Sequence, residues 1–142
     1  VDLVCEVGWV TGACFMVRKS IGRKVGLLDS ALFMFYEDVE WCLRIRKNGS
    51  KIFYCPDSLV THVGGQSTRK NYTEMLVLSH ASLTYLYKKY FNRFEFTLLF
   101  LLVPVEMIIR FVLWSLKYCL QPSQRLEAGQ RLRAYWCIMK GG

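Results

Sequence analysis

No Cys-x-x-Cys pair occurs in this sequence, and its only two histidines, His62 and His80, stand eighteen positions apart. That scarcity argues against a structural zinc module, which needs four ligands at short spacing. An arginine-rich run is also missing, as is any basic face interleaved with stacking aromatics, so a nucleic-acid partner is not expected. There is no internal repeat. A composition 53% apolar and 15% aromatic excludes a disordered or low-complexity chain. The first residues, Val1-Asp2-Leu3, carry neither an initiator methionine nor a basic-then-apolar signal sequence. From that start the expectation is a chain cut from a longer one.

What is present is a chain of 142 residues with a formal charge of +8, enough for one ordinary core. Residues 1–95 hold 13 basic and 9 acidic side chains, and residues 96–142 hold 6 and 2. A basic chain with a very apolar tail fits an anionic membrane surface. Cys14, Cys42, Cys55, Cys119 and Cys137 have apolar neighbours, unlike Cys5, and are expected to be small buried hydrophobes in a reducing compartment.

Along the chain, residues 7–18 read as a buried strand interrupted by Gly8 and Gly12, where a ligand or another backbone approaches. Residues 19–30 read as a basic loop. From Asp38 to Asn48 the pattern is helical, with Arg46 and Lys47 in the last turn and Gly49 as the stop. Two short strands are expected over residues 51–55 and 58–62, followed by a polar loop from Gly64-Gly65 through Lys70. Residues 73–91 form an amphipathic helix, with Leu76, Leu83, Tyr87 and Tyr90 on one stripe. The composition changes near Asn92-Arg93. Residues 96–120 are long enough to cross a bilayer, yet Glu106, Arg110 and Lys117 share one helical face. Charges at mid-bilayer are expensive, so an interfacial or re-entrant helix is expected ahead of a span or a helix packed on protein. Pro104 is expected to kink it. Residues 121–142 read as a second surface helix containing Leu126, Leu132, Trp136 and Ile138.

The sharpest feature is Tyr36-Glu37-Asp38-Val39-Glu40-Trp41-Cys42-Leu43-Arg44. Carboxylates at a helix start meet the positive end of the helix dipole, which stabilises negative charge. A general base must carry that charge to accept a proton. Simple helix capping is the alternative. Around this pair stand Trp9-Val10-Thr11-Gly12-Ala13, Gly26-x-x-Asp29, Tyr54-x-Pro56 and His62-Val63-Gly64-Gly65. In order and spacing the ensemble resembles family 2 glycosyltransferases of the rhamnosyl- and galactofuranosyl-transferring kind over residues 7–92. Ser30 and Glu40 depart from that pattern, which has glutamate and aspartate there.

The resemblance implies an α/β architecture: residues 1–92 as the acceptor-binding, catalytic-base half of a GT-A nucleotide-diphospho-sugar transferase fold. Residues 93–142 would then be a membrane-associating helical tail. It implies Asp38 as the general base that deprotonates the acceptor hydroxyl, with Glu37 orienting the acceptor or supporting the base. His62 would bind a divalent metal, Mg or Mn, and the remaining ligands would lie in a missing N-terminal half. Trp9 and the Gly12-Ala13 backbone would line the sugar site, although Trp9 also suits a core position. Arg44 would contact phosphate or pair with Glu40 four residues earlier. His80, mid-helix, reads as structural, and Gln66-x-x-Arg69 is followed by Lys70 where processive synthases carry tryptophan. No Asp-x-Asp metal motif occurs, so the nucleotide-sugar donor is expected to be held outside this chain. A glycan or lipid-linked acceptor at the cytoplasmic face of the cell membrane completes the expectation. Two rivals remain. A glycoside hydrolase needs two carboxyls about 5 Å or more apart across the bond, which adjacent Glu37 and Asp38 do not readily supply. A non-catalytic membrane adaptor would account for the tail but not for the ordered motifs.

Overall fold

A computed structural model of the chain describes residues 3–64 and 71–140. The loop of residues 66–70, with its Gln66-x-x-Arg69, lies outside them. The chain divides into two compact units, Val1–Gly64 and Gly65–Gly142. The described residues are mostly helical, and their sheet is two short antiparallel strands.

In the first unit, β1 (Cys5–Val7) pairs with β2 (Ile52–Tyr54), with Val7 opposite Ile52. A short helix, α1 (Lys19–Val25), ends at Gly26, whose φ of 83° suits only glycine without strain. The longer α2 (Glu37–Lys47) stops at Asn48, and Gly49 (φ 80°) returns its N–H to the Arg46 carbonyl. That is the glycine stop the sequence pattern predicts. Cys42 and Ile45 on α2 and Ile52 on β2 make the buried centre, covered by Val7, Val10, Phe15, Val17, Ile21, Val25 and Trp41. Burial pushes the Cys42 thiol above its ordinary pKa, so it packs as a neutral apolar group.

Several sequence expectations for this unit are corrected. The strand expected over residues 7–18 ends at Val7, and farther on the Gly12 N–H donates to a side chain instead of to a neighbouring strand. The expected loop after residue 18 contains α1, whose Ile21 and Val25 lie four apart and so meet the core on one face. Residues 58–62 have no ladder partner among the described residues. Of the six cysteines, all free, only Cys42 is buried. Cys14, Cys55, Cys119 and Cys137 are exposed, Cys14 although Phe15 beside it packs on the core.

The second unit is helical. It comprises α3 (Tyr72–Tyr90), α4 (Arg93–Leu120) and α5 (Arg125–Met139), with a 3-10 turn (Pro122–Gln124) before the last. Residues 92–93, where composition changes, form the start of α4 inside this unit. There Asn92 and Glu95 close a reciprocal capping box. α5 packs on both α3 and α4. Ser82, Leu86, Met107, Ala128, Ala134 and Tyr135 are its buried residues. Leu126 and Trp136 are exposed on α5. Residues 65–142 hold 11 basic and 4 acidic side chains against 8 and 7 in residues 1–64, so nearly all the excess positive charge belongs to the helical unit.

Ile45→Ala should lower the stability of the first unit by about 2–5 kcal/mol. It removes a branched side chain that is 4% exposed at the centre of a small core. Denaturant unfolding of the variant against the parent chain is the measurement.

Candidate functional site

The N-terminus of α2 is reached through an unusual backbone. Phe35 and Tyr36 both lie in the left-handed region, at φ 66° and 63°, and neither is glycine. Each such residue costs roughly 1–2 kcal/mol, and strain of this kind collects where a structure holds a functional group in place. The turn it makes delivers Glu37 and Asp38 at the first two positions of the helix.

Asp38 is held at both oxygens. Its Oδ2 accepts from the Gly12 N–H at 2.8 Å, and its Oδ1 accepts from the Val39 N–H at 2.7 Å. A carboxylate gripped by two backbone amides has a fixed orientation. The contact joins two motifs 26 residues apart. A Cβ on Gly12 would lie 3.6 Å from the Asp38 Cβ, an ordinary contact, so this glycine is used for its N–H more than for its missing side chain. Ala13 is half-buried beside it, and the Trp9 ring is 54% exposed, so Trp9 is not a core residue. Glu37 is half-buried, and its Oε2 is enclosed without a hydrogen-bond partner. An enclosed carboxylate oxygen is an acceptor awaiting a donor.

Behind this edge, Glu40 is fully buried and accepts from Arg44 Nε at 2.9 Å, with Nη2 at 2.8 Å. The same guanidinium donates from Nη1 to the Val25 carbonyl and from Nη2 to the Leu27 carbonyl, each at 2.6 Å. Trp41 Nε1 adds a bond to the Gly26 carbonyl at 2.9 Å, while its ring meets Phe15 edge-on at 5.0 Å. Arg44 therefore ties the segment after α1 to α2. The Glu40–Arg44 pairing was open in the i,i+4 spacing; the reach to residues 25–27 was not, because it depends on how α1 and α2 meet. The left-handed pair at Phe35-Tyr36 had no sequence signal at all, since neither residue type favours that conformation.

His62 is exposed, with no hydrogen bond to Asp38 or Glu37 among the described residues. Among the described residues no group of three or more His, Cys, Asp or Glu side chains is placed to hold a metal ion. The expectation placed only His62 of a divalent-metal site in this chain and its remaining ligands elsewhere. His80 bonds from Nδ1 to the Leu76 carbonyl within its own helix, in the second unit.

Arg44→Lys should cost about 1–3 kcal/mol of stability, because an ammonium cannot reproduce a planar fork that reaches Glu40 and two carbonyls at once. The midpoint of urea unfolding would report it, and an unchanged midpoint would mean the strut carries nothing.

The comparisons with known proteins bear on this geometry. The model of the family described as glycosyltransferase like family 2 matches residues 5–78. An N-acetylglucosaminyl-diphospho-decaprenol L-rhamnosyltransferase of Mycobacterium tuberculosis is 37% identical over 81 residues, which are 57% of this chain and 26% of the relative. The low-salt glycan biosynthesis hexosyltransferase Agl10 of Haloferax volcanii is 28% identical over 105 residues, 70% of this chain and 34% of its own. The dTDP-rhamnosyl transferase RfbF of Shigella flexneri is 38% identical over 55 residues, 39% of this chain and 19% of its own. The chain thus spans between about a fifth and about a third of the length of the curated relatives it matches. No solved structure matches it. With the family model covering the whole α2 region and more than half of the sequence, the chain belongs to the family 2-like glycosyltransferases.

Proposed function

We propose that this chain carries the acceptor-binding and catalytic-base half of an inverting sugar transferase of the GT-A, α/β type, rhamnosyltransferase-like, with Asp38 as the base. The observation that supports this best is the 2.8 Å bond from the Gly12 N–H to Asp38 Oδ2. It unites the Trp9-to-Ala13 motif with the Glu37-Asp38 pair at a strained helix start. The donor, a nucleotide-diphospho-sugar, is held by residues beyond this chain. That part of the reading draws on the absent Asp-x-Asp motif and on the greater length of the relatives.

In the reaction, the acceptor hydroxyl attacks the anomeric carbon of the donor sugar. Its proton passes to the free lone pairs of the Asp38 carboxylate, the bond to the nucleoside diphosphate breaks, and a single displacement inverts the carbon. The amides of Gly12 and Val39 keep the carboxylate aimed throughout. Glu37, with one oxygen enclosed and unpartnered, orients the acceptor by taking a hydrogen bond from a second hydroxyl. Trp9, exposed, offers a face for stacking on pyranose C–H groups, and Gly12 and Ala13 line the same edge. Arg44 acts through the segment it ties down. A divalent cation would offset charge on the departing diphosphate, and His62 would offer it one imidazole.

The acceptor is a glycan or lipid-linked glycan at the cytoplasmic face of the cell membrane. Helix α4 supports this location: it is 28 residues long, apolar enough to cross a bilayer, and only 6% of its most apolar window is buried in the protein. We expect it to drive membrane association. Glu106 and Arg110 form an ion pair at 2.7 Å, which lowers the cost of holding both near lipid. Alkaline carbonate extraction of the parent enzyme should leave it in the membrane pellet, and full release would remove the membrane from this reading.

Asp38→Asn in the full-length parent enzyme should lower turnover per folded molecule by about 10²–10⁴-fold, with donor affinity little changed. Glu37→Gln should lower turnover less and raise the acceptor KM. If Asp38 only caps the helix, Asp38→Asn would cost about 0.5–2 kcal/mol of stability and leave turnover intact. Thermal melts alongside kinetics separate the two, and normal turnover in Asp38→Asn would sink the assignment.

A further inference from the structure

The length and composition of α4 allow it to stand across a bilayer, and what packs against it decides whether it does. At 28 residues it is about 42 Å long, against about 30 Å of hydrocarbon. From Phe94 through Leu101, Val105, Ile109 and Val112 to Leu120, exposed apolar side chains share one face of the helix. Its neighbours carry no matching face. Among the described residues α3 exposes no large apolar side chain, and α5 exposes Leu126, Trp136 and Met139 alone.

The other side of α4 is taken up by polar helices. Met107 is buried there, and α5 runs back along the C-terminal half of α4. Arg125 donates from Nε to the Tyr118 carbonyl at 3.1 Å, and farther along α5 the Arg131 guanidinium lies over the Trp114 ring at 4.3 Å. Arg131 also donates to the Tyr72 hydroxyl of α3 at 2.8 Å and pairs with Glu127 at 2.7 Å. Thr73 of α3 adds a bond to the Gln130 carbonyl at 3.1 Å. Standing α4 upright would therefore carry Arg125, Glu127, Arg131 and Arg133 of α5 into the hydrocarbon beside it. Ionised side chains are expensive there even when some of them are paired. Laid flat, the same three helices keep those charges on the water side and bury only the uncovered face of α4.

The charge of the unit names the kind of surface. At the C-terminal end of α4, Lys117 lies over the Trp114 ring at 4.4 Å and Arg125 over the Tyr118 ring at 5.8 Å. Such pairs hold an apolar body and a charged tip together at the level of lipid headgroups. The unit's 11 basic residues outnumber its 4 acidic ones even after every carboxylate has found a partner, so anionic headgroups are attracted to it. A second copy of the chain brought to the same face would set like charge against like charge.

We propose that α4 lies in the plane of a membrane leaflet containing anionic lipid. Its uncovered face sits among the upper acyl chains, Lys117 and Arg125 meet the headgroups, and α3 and α5 stay on the water side. The inference rests on the membrane location proposed above and goes beyond it in orientation and in lipid class.

The test adds the full chain to sealed phosphatidylcholine vesicles with and without phosphatidylglycerol, and recovers the bound fraction by flotation. Binding to the phosphatidylglycerol vesicles is expected, weakening as salt is raised. Ile109→Glu, at an exposed position, should keep the parent melting temperature and raise the lipid concentration for half-binding by at least about tenfold. Lys117→Gln and Arg125→Gln should each raise it by about fivefold, on phosphatidylglycerol vesicles only. A membrane-impermeant maleimide then reads the orientation. Cys14 and Cys137 are both exposed, one before α4 and one after it, so a helix lying flat leaves both open to label from outside. Protection of either one while the other reacts would mean a span, which overturns the orientation and leaves the membrane location standing. Equal binding to both kinds of vesicle would overturn the anionic leaflet. No binding to either, or a soluble dimer that Ile109→Glu turns into a monomer, would overturn the inference outright, while carbonate extraction of the parent enzyme decides the location separately.

Discussion

Asp38 is gripped by two backbone amides, and the first unit is arranged around that grip. Had Gly12 continued β1, its N–H would have been committed to a neighbouring strand. Freed by the turn at residues 12–13, it reaches 2.8 Å from Oδ2. The grip asks for two things in return. The chain before α2 must turn sharply, which Phe35 and Tyr36 do in a conformation that neither side chain favours. The segment carrying Gly12 must also stay against the helix, which Val10 and Phe15 achieve by packing on Cys42, Ile45 and Ile52.

Strain at one edge of a small unit has to be offset elsewhere, and Arg44 supplies much of that restraint. A fully buried Glu40 is tolerable only because its charge is met by the guanidinium. That guanidinium also fastens the Val25 and Leu27 carbonyls, and Trp41 fastens Gly26 between them. Three consecutive carbonyls are thus held by one face of α2. This is a rigid backing for the carboxylate proposed as the base, since a small misplacement of a reacting group is costly in rate.

The second unit follows a different logic. Its buried residues are few and partly small, and α4 leaves most of its apolar surface uncovered. The charged stripe seen in the sequence of α4 is only partly turned to solvent. Glu106 and Arg110 border a cavity beside the buried Met107. Lys117 lies over the Trp114 ring at 4.4 Å and Arg125 over the Tyr118 ring at 5.8 Å. Basic groups laid across aromatic faces keep an apolar body and a polar tip together, an arrangement suited to a boundary between oil and water.

The sequence by itself determined the helices that have a full periodic face or a clear stop. The Asp38-to-Asn48 pattern with its Gly49 stop is α2, and residues 73–91 and 96–120 lie in α3 and α4. It also determined the family, because ordered motifs survive where single residues are ambiguous. It was silent or misleading where a group's partner lies far along the chain. The Gly12 amide read as strand backbone, α1 was too short to show a period, and four cysteines counted as buried were exposed. The enclosed Glu37 oxygen and the left-handed Phe35-Tyr36 pair were likewise decided only by tertiary structure. Periodicity encodes which face of an element is apolar. It does not encode which element comes to meet that face, and the hydrogen bonds that define the site at Asp38 are made or withheld at those meetings.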